Sequence, residues 1–304
     1  MKELKGYMMV MGASLFWGGS ATAAKYLLNR HLDTLLIVQT RVTFACLLLL
    51  PYLILSKPGA LHVRPRDLWQ FALLGILGVA GSNFTYYFAI KESTVATAIL
   101  IQYTAPLLVI AYAAYSGEEK FTAVKVIAAT ISLLGCFLAV GAYNFSLLKI
   151  SPLGLVSAIS SVFTWAFMNV YTRHLLSRYT LWTVMFYAIA SASVFWLVIQ
   201  PPWAIAGLDL TVDVWGGLIV LSIISVLIPH SLYFSGLRYV VASRAIITST
   251  LEPIVAIVTA AIFLGEYLAF AQTIGALFVM GAIVLLQLRR EPVRIPKREP
   301  SHAS

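Results

Sequence analysis

Residues 103–119 read YTAPLLVIAYAAYSGEE, and residues 250–266 read TLEPIVAIVTAAIFLGE. In both stretches a proline is followed by an apolar run, a glycine and a glutamate, and the glutamate lies 13 residues after the proline. The second stretch begins 147 positions after the first. Trp17 and Trp165 match at nearly the same offset. Two motifs that recur at one offset predict that the chain consists of two copies of one unit.

The chain of 304 residues is too apolar for a water-soluble protein. Its residues are 60% hydrophobic and only 11% charged, and the mean hydropathy is +0.88. In soluble domains about a quarter of residues are charged, and disordered chains have low hydropathy. The composition therefore excludes both classes and indicates a membrane protein.

Ten apolar segments are each long enough to cross a bilayer, which takes about 20 helical residues. Strands of a membrane barrel would alternate apolar and polar residues over about 10 positions, whereas these segments are nearly continuous. We predict helices at residues 8–28, 34–55, 68–90, 94–115, 123–141, 152–176, 180–200, 214–237, 241–263 and 269–288.

The repeat and the helix count together predict the topology. With five helices in each unit, the second unit must enter the membrane in the opposite orientation. The fold class is then an all-α polytopic membrane protein with ten transmembrane helices as two inverted five-helix repeats. We assign the first repeat to residues 1–147, the second, inverted repeat to 148–290, and a basic disordered cytoplasmic tail to 291–304. Inverted repeats are typical of secondary transporters, whose substrate site lies between the halves near the membrane midplane.

The net charge of +9 fits membrane topology better than binding to nucleic acid. Successive predicted spans cross the membrane in alternating directions, which assigns each connection to one side. Of the 21 lysines and arginines, sixteen then fall on one side, four on the other, and Arg41 lies within a span. The positive-inside rule then places both termini in the cytoplasm. We expect a multi-pass protein of the cell's inner (plasma) membrane. Its expected partners are the lipid bilayer and a small-molecule substrate, without nucleic acid, and it is expected to be a monomer, with a dimer as the alternative.

The repeated units resemble a known family. Residues 13–19 (ASLFWGG) and the region around Trp165 are similar to the start of an EamA repeat, and residues 251–266 are similar to its end. This resemblance implies the drug/metabolite transporter superfamily, in its ten-helix EamA branch. It further implies an inner-membrane carrier that exports amino acids or other small metabolites, and it leaves the substrate open.

Three ionisable residues within the predicted spans are candidates for coupling or gating, because a charge inside lipid is costly. Glu252 lies in the ninth span, where it is a candidate for proton coupling or for binding a substrate amine; the alternative is a structural glutamate bonded to nearby backbone. His230 could relay protons or bond a neighbouring helix. Arg41, in the second span, could bind a substrate carboxylate, pair with Glu252 or extend its side chain to the surface.

Prolines and aromatic residues complete the candidate site. Pro106, Pro229 and Pro253 each remove an intrahelical hydrogen bond, which frees the carbonyls of Gln102, Ser225 and Ser249; the alternative is a simple kink. Several aromatic and polar side chains are spaced to surround a central cavity, although such residues also fill cores. The candidate substrate-binding residues are Trp17, Asn83, Tyr87, Gln102, Tyr103, Trp165, Asn169, Tyr233 and Ser249.

The leading interpretation is a secondary transporter that moves an amino acid or a similar metabolite out of the cell by alternating access, with proton antiport as the expected coupling. The alternatives are a facilitated uniporter, a multidrug or metabolite efflux carrier, a channel and, remotely, an intramembrane enzyme. The sequence has no motif of a nucleophilic hydrolase, a zinc protease or an ATP-binding loop. We therefore expect no catalytic residues, no metal and no cofactor.

Overall fold

The computed structural model describes residues 2–28, 32–93, 95–117, 119–144, 150–203, 210–264 and 269–288. Helix is found at all ten predicted positions, so the all-α assignment is confirmed for the described part of the chain. The predicted tail at 291–304 and the motif residues Gly265 and Glu266 lie outside the described residues.

The ten helical units follow one another with short connections, and most ends agree with the prediction within a few residues. The first helix begins earlier than expected, at Lys2, and continues through Gly6 into the apolar run. The bounds are α1 Lys2–Leu28, α2 Thr34–Ser56, α3 Leu68–Leu73 continued by Leu74–Ala80 and Gly81–Lys91, α4a Val95–Gln102, α4b Ala105–Tyr115, α5 Ala123–Ala139, α6 Pro152–Leu176, α7 Leu181–Ile199, α8 Val212–Ser222 continued by Ile223–Leu227 and Ile228–Gly236, α9a Ala242–Thr248, α9b Leu251–Leu264 and α10 Phe270–Leu288.

Interruptions of the helices occur at equivalent places in the two repeats. The fourth and ninth units are broken into two pieces just before Pro106 and Pro253, which cannot donate a backbone hydrogen bond. The third and eighth units instead widen into π-helical segments, Leu74–Ala80 and Ile223–Leu227. Short π-helical segments within α-helices are frequent at functional sites. The sequence indicated the breaks but gave no sign of the π-helical segments.

The inverted arrangement is established by contacts at one end of the bundle. This end holds the start of α1, and we call it the amino-terminal end. There Arg244 at the start of α9a bonds Glu3 in α1 and the carbonyl of Leu286 at the end of α10. Arg173 at the end of α6 bonds the carbonyl of Val240, just after α8. Because α1 begins at the end where its repeat equivalent α6 finishes, the two halves are inverted relative to one another.

Two glycines allow a close helix crossing between α5 and α10. A Cβ atom at Gly275 would lie 2.5 Å from the carbonyl oxygen of Gly135 and 2.5 Å from the nitrogen of Ala139. Small residues commonly permit such close approach in membranes. Because α5 and α10 are repeat equivalents, this crossing joins the two halves of the molecule.

Eight of the helical units in the described ranges are long and apolar enough to cross a membrane. The helix Ala123–Ala139 is also apolar but has only 17 residues. The helix Lys2–Leu28 has 27 residues and packs within the same bundle, against α8 and α9b. The structure is therefore a polytopic helical membrane protein, and ten as the number of spans remains a prediction for these two helices.

Candidate functional site

A direct polar contact joins the two helix breaks. The hydroxyl of Tyr103, at the break in α4, lies 3.0 Å from Glu252 Oε2 and 3.2 Å from the carbonyl oxygen of Ser249. Both acceptors belong to the break in α9. Pro253 has no backbone N–H to bond the Ser249 carbonyl. That oxygen accepts from the backbone N–H of Glu252 at 3.0 Å and from the tyrosine of the other repeat. The contact thus places Tyr103, Ser249 and Glu252 together, at the equivalent positions of two inverted repeats.

The α9 break is also held by α5. Ser132 Oγ donates to Thr250 Oγ1 at 2.6 Å, and Cys136 Sγ lies 4.0 Å from the carbonyl oxygen of Thr250. Irregular backbone is tolerated inside a membrane only where protein groups or water satisfy it. The break is therefore a supported element of the fold and not a frayed helix end.

Four rings and an amide form a cluster between α1, α6 and α8. The Trp17 ring centroid lies 5.6 Å from that of Trp165, 5.5 Å from His230 and 5.3 Å from Tyr233. The Tyr233 hydroxyl donates to the side-chain oxygen of Asn169. The structure therefore brings these five residues together, and both tryptophans of the repeat contribute to the cluster. Trp17 and Trp165 are half-buried, whereas the other three are buried.

Ser225 connects this cluster to Arg41. Its carbonyl oxygen accepts from Trp17 Nε1 at 3.1 Å, and its hydroxyl accepts from Arg41 Nε at 2.8 Å. The Ser225 carbonyl is the group predicted to be freed by Pro229, which lies four residues later in α8. Arg41 Nη1 also donates to Tyr87 Oη at 2.5 Å. Arg41 is buried and makes no direct contact with Glu252.

Three predicted site residues are not brought into these contacts. Asn83 donates its amide to the carbonyl of Val79 at 2.7 Å, in its own helix beside the π-helical segment. Gln102 is the last residue of α4a and Pro106 is the second residue of α4b, so both lie beside the break. His230 does join the ring cluster, but its Nδ1 lies 3.0 Å from the carbonyl of Val226 in its own helix. This bond lies within the histidine's own helix, whereas the alternative interpretation of His230 was a bond to a neighbouring helix.

Sequence reasoning missed a polar network at the amino-terminal end. Glu119 forms a 3.0 Å ion pair with Lys125 and accepts from the backbone and hydroxyl of Ser243, at the start of α9a. Arg244, the next residue, pairs with Glu3 at 2.7 Å. Lys125 and Arg244 are almost completely buried. Both belong to the sixteen basic residues that the positive-inside rule assigns to the cytoplasmic side. The sequence gives a reason to examine them, because both positions lie within predicted spans.

The described residues contain no group of three or more histidine, cysteine, aspartate or glutamate side chains arranged to hold a metal ion. Around the helix breaks and the ring cluster, the side chains offer instead the carboxylate of Glu252, the guanidinium group of Arg41, several hydroxyls and aromatic faces. Such groups bind and orient a small polar solute by hydrogen bonds, charge and cation–π contact.

Comparisons with known proteins agree with this architecture. The family model described as the EamA-like transporter family matches twice, at residues 4–141 and 152–288. The chain is 25% identical over 291 residues to a Salmonella typhimurium protein named "Uncharacterized inner membrane transporter YicL", covering 93% of this chain and 95% of that protein. It is 26% identical over 266 residues to an Archaeoglobus fulgidus protein named "Uncharacterized transporter", covering 87% and 90%.

One solved structure extends the comparison to the fold. A crystal structure matches with a TM-score of 0.77 at 19% sequence identity, covering 93% of this chain and 96% of the other. At this identity the match concerns the fold alone. The family match, by contrast, covers both repeats found in the sequence and excludes only the connection between them and the chain ends. The chain is a membrane transporter and belongs to the EamA-like transporter family.

Proposed function

We propose that the protein exports an amino acid or an amino-acid-like metabolite across the inner membrane by alternating access. The observation that carries this proposal is the contact of Tyr103 with Glu252 and Ser249. It joins broken helices of two inverted repeats, which is where secondary transporters place substrate and coupling ions. The contact consists of hydrogen bonds from one side-chain hydroxyl, which can change its acceptor when the two halves rock.

Proton antiport is the coupling that fits the available groups. Glu252 is the acidic residue at the α9 break, and its carboxylate already shares a hydrogen bond with the Tyr103 hydroxyl. A carboxylate among hydroxyls and rings can exchange a proton or hold the ammonium group of a substrate, but it cannot stabilise both charges at once. Competition between proton and substrate for one carboxylate is sufficient to couple their movements in opposite directions.

The polar network at the amino-terminal end supports alternating access. The buried pairs Lys125–Glu119 and Arg244–Glu3 hold the ends of five helices together on that side. Their repeat equivalents at the opposite end include Gln272 and Thr97, which cannot form ion pairs. In the proposed cycle this network closes the cytoplasmic side while the solute leaves on the other, and its pairs separate when the carrier opens inward.

The proposal is tested by transport in proteoliposomes. Purified protein is reconstituted, and uptake of a panel of radiolabelled amino acids is measured with and without an imposed pH gradient. We expect uptake of at least one amino acid, with accumulation only when the gradient is present. Uptake that only equilibrates, whatever the gradient, would instead favour facilitated uniport, and the absence of uptake for the whole panel would contradict the proposal.

A further inference from the structure

Arg41 is an almost fully buried cation whose contacts with the described residues are all to neutral groups. It is 5% exposed. Its Nε donates to Ser225 Oγ at 2.8 Å, its Nη1 donates to Tyr87 Oη at 2.5 Å, and the guanidinium carbon lies 5.4 Å from the centroid of the Tyr87 ring. These contacts fix the direction of the guanidinium group but do not neutralise its charge.

Arg244 shows how the same chain accommodates an arginine that is paired within the protein. It is 2% exposed, and its Nη1 lies 2.7 Å from Glu3 Oε1 and 3.1 Å from both the Tyr7 hydroxyl and the Leu286 carbonyl oxygen. A buried ion carries a large desolvation cost unless an opposite charge is close. Arg244 has such a charge, whereas no carboxylate of the described residues lies within ion-pair distance of Arg41.

The surroundings of Arg41 point towards a ligand and not towards a structural role alone. Its two hydrogen-bond partners come from α3 and α8, one from each repeat, and the partner in α8 lies within a π-helical segment. The same Ser225 also holds the indole of Trp17, so an aromatic wall begins beside the guanidinium group. The arginine is therefore oriented at the interface between the halves, where a solute would have to be bound from both sides.

We propose that Arg41 binds the carboxylate of the transported solute and makes the carrier selective for carboxylates over the corresponding amides. This inference rests on the proposed function and assigns one part of the substrate to one residue. The planar guanidinium group matches a carboxylate with two parallel hydrogen bonds. The protein contacts use Nε and one N–H of Nη1. The second N–H of Nη1 and an N–H of Nη2 remain for the two carboxylate oxygens of the solute, and Trp17 provides an apolar face for its body.

The test compares ligands that differ only in the carboxylate. L-Phenylalanine, L-phenylalaninamide and 3-phenylpropionate are added to the purified wild-type protein, and binding is followed by the shift in thermal unfolding temperature. We expect stabilisation by both carboxylates, with an apparent affinity at least about tenfold above that for the amide. Equal responses to acid and amide, or no response to any carboxylate, would overturn the proposal.

Variants then assign the selectivity to Arg41. In Arg41→Gln we expect the preference for the acid to disappear, while Arg238→Gln, which changes an exposed arginine, keeps it. Should Arg41→Gln fail to fold, Arg41→Lys is used instead. It retains the charge without the planar guanidinium group and is expected to lower the preference for the acid several-fold. A preference unchanged in both Arg41 variants would contradict the assignment.

Transport separates this inference from the proposed function. If the wild type carries amino acids but Arg41→Gln still prefers L-phenylalanine to its amide in proteoliposomes, the role of Arg41 is wrong and the proposed function stands. If the wild type transports no amino acid at all, the proposed function itself is contradicted.

Discussion

At the scale of single residues, the structure repeatedly assigns the carbonyls freed by prolines to aromatic donors from other helices. Trp17 bonds the carbonyl of Ser225, and Tyr103 bonds that of Ser249. Both donors belong to the first repeat, and both acceptors belong to the second. A proline in a membrane helix thus creates an acceptor that a distant tyrosine or tryptophan can use, and the two repeats are joined at those points.

Replacing Trp17 by phenylalanine tests one of these bonds. The variant keeps a ring in the cluster but leaves the Ser225 carbonyl without its indole donor. We expect the free energy of unfolding to fall by about 1 kcal/mol, measured by chemical unfolding in detergent micelles. The matched control is Trp165→Phe, which makes the same change in ring size at the repeat equivalent. The indole nitrogen of Trp165 has no hydrogen bond with the described residues. Equal losses in the two variants would contradict this role of the bond.

Two charged residues of the candidate site could be predicted from the sequence, because a charge inside an apolar run is visible without a structure. Arg41 and Glu252 were identified in this way. Lys125 and Arg244 carry the same signal, but they lie near the ends of predicted spans, where a side chain in the interface and one in a buried ion pair look alike. Distinguishing them requires knowing which helix packs against that end, and the order of the residues does not contain this information.

At the scale of helices, the interruptions differ in how far the sequence could indicate them. The breaks in α4 and α9 follow from Pro106 and Pro253, because a proline cannot donate a backbone hydrogen bond. The π-helical segment in α8 lies just before Pro229, which indicates a kink but not a π-helical turn, and the segment in α3 has no proline beside it. In α3 the packing is close: Gly75 lies so near α7 that an added Cβ would meet the carbonyl oxygen of Ala188 at 2.5 Å. Packing of this kind cannot be deduced from one helix alone.

The glycine crossing of α5 and α10 gives a prediction at this scale. In Gly275→Ala the new Cβ would clash with backbone atoms of α5, which cannot move aside as a flexible side chain would. We expect a loss of about 1–3 kcal/mol in the free energy of unfolding, as for other overpacked sites.

Gly281→Ala is the control for this variant, because nothing lies within 4 Å of its added Cβ and it belongs to the same helix. There we expect no loss, and a gain of up to about 1 kcal/mol from the better helix propensity of alanine. Similar unfolding free energies for the two variants would contradict the assigned crossing.

At the scale of the whole molecule, charge is distributed unequally between two ends that the repeat makes otherwise equivalent. Ion pairs hold the amino-terminal end, at Glu119, Lys125, Glu3 and Arg244. The amino-terminal end is the one that the positive-inside rule places in the cytoplasm. In the proposed alternating-access cycle, ion pairs at one end only would favour a resting state in which the cytoplasmic side is closed.

Weakening this seal should shift the balance of conformations. Glu3→Gln removes the charge that faces Arg244 and keeps the shape of the side chain. We expect maleimide to label a cysteine introduced at the buried residue Ser249 several-fold faster from the cytoplasmic side, in a background with both natural cysteines replaced. The same labelling rate as with an intact Glu3 would contradict a sealing role, and Arg238→Gln serves as the control for a change of exposed charge.

Proton coupling through Glu252 is the central claim about the whole molecule, and one measurement tests it most directly. Wild type, Glu252→Gln and the control Glu92→Gln are reconstituted in proteoliposomes. Uptake of a transported amino acid is compared with and without an imposed pH gradient. We predict that the gradient drives accumulation by the wild type and the control at least about tenfold above the level without it. Glu252→Gln should exchange solute at most to equilibrium, because its side chain cannot release a proton. Accumulation by Glu252→Gln equal to that of the wild type would contradict the account.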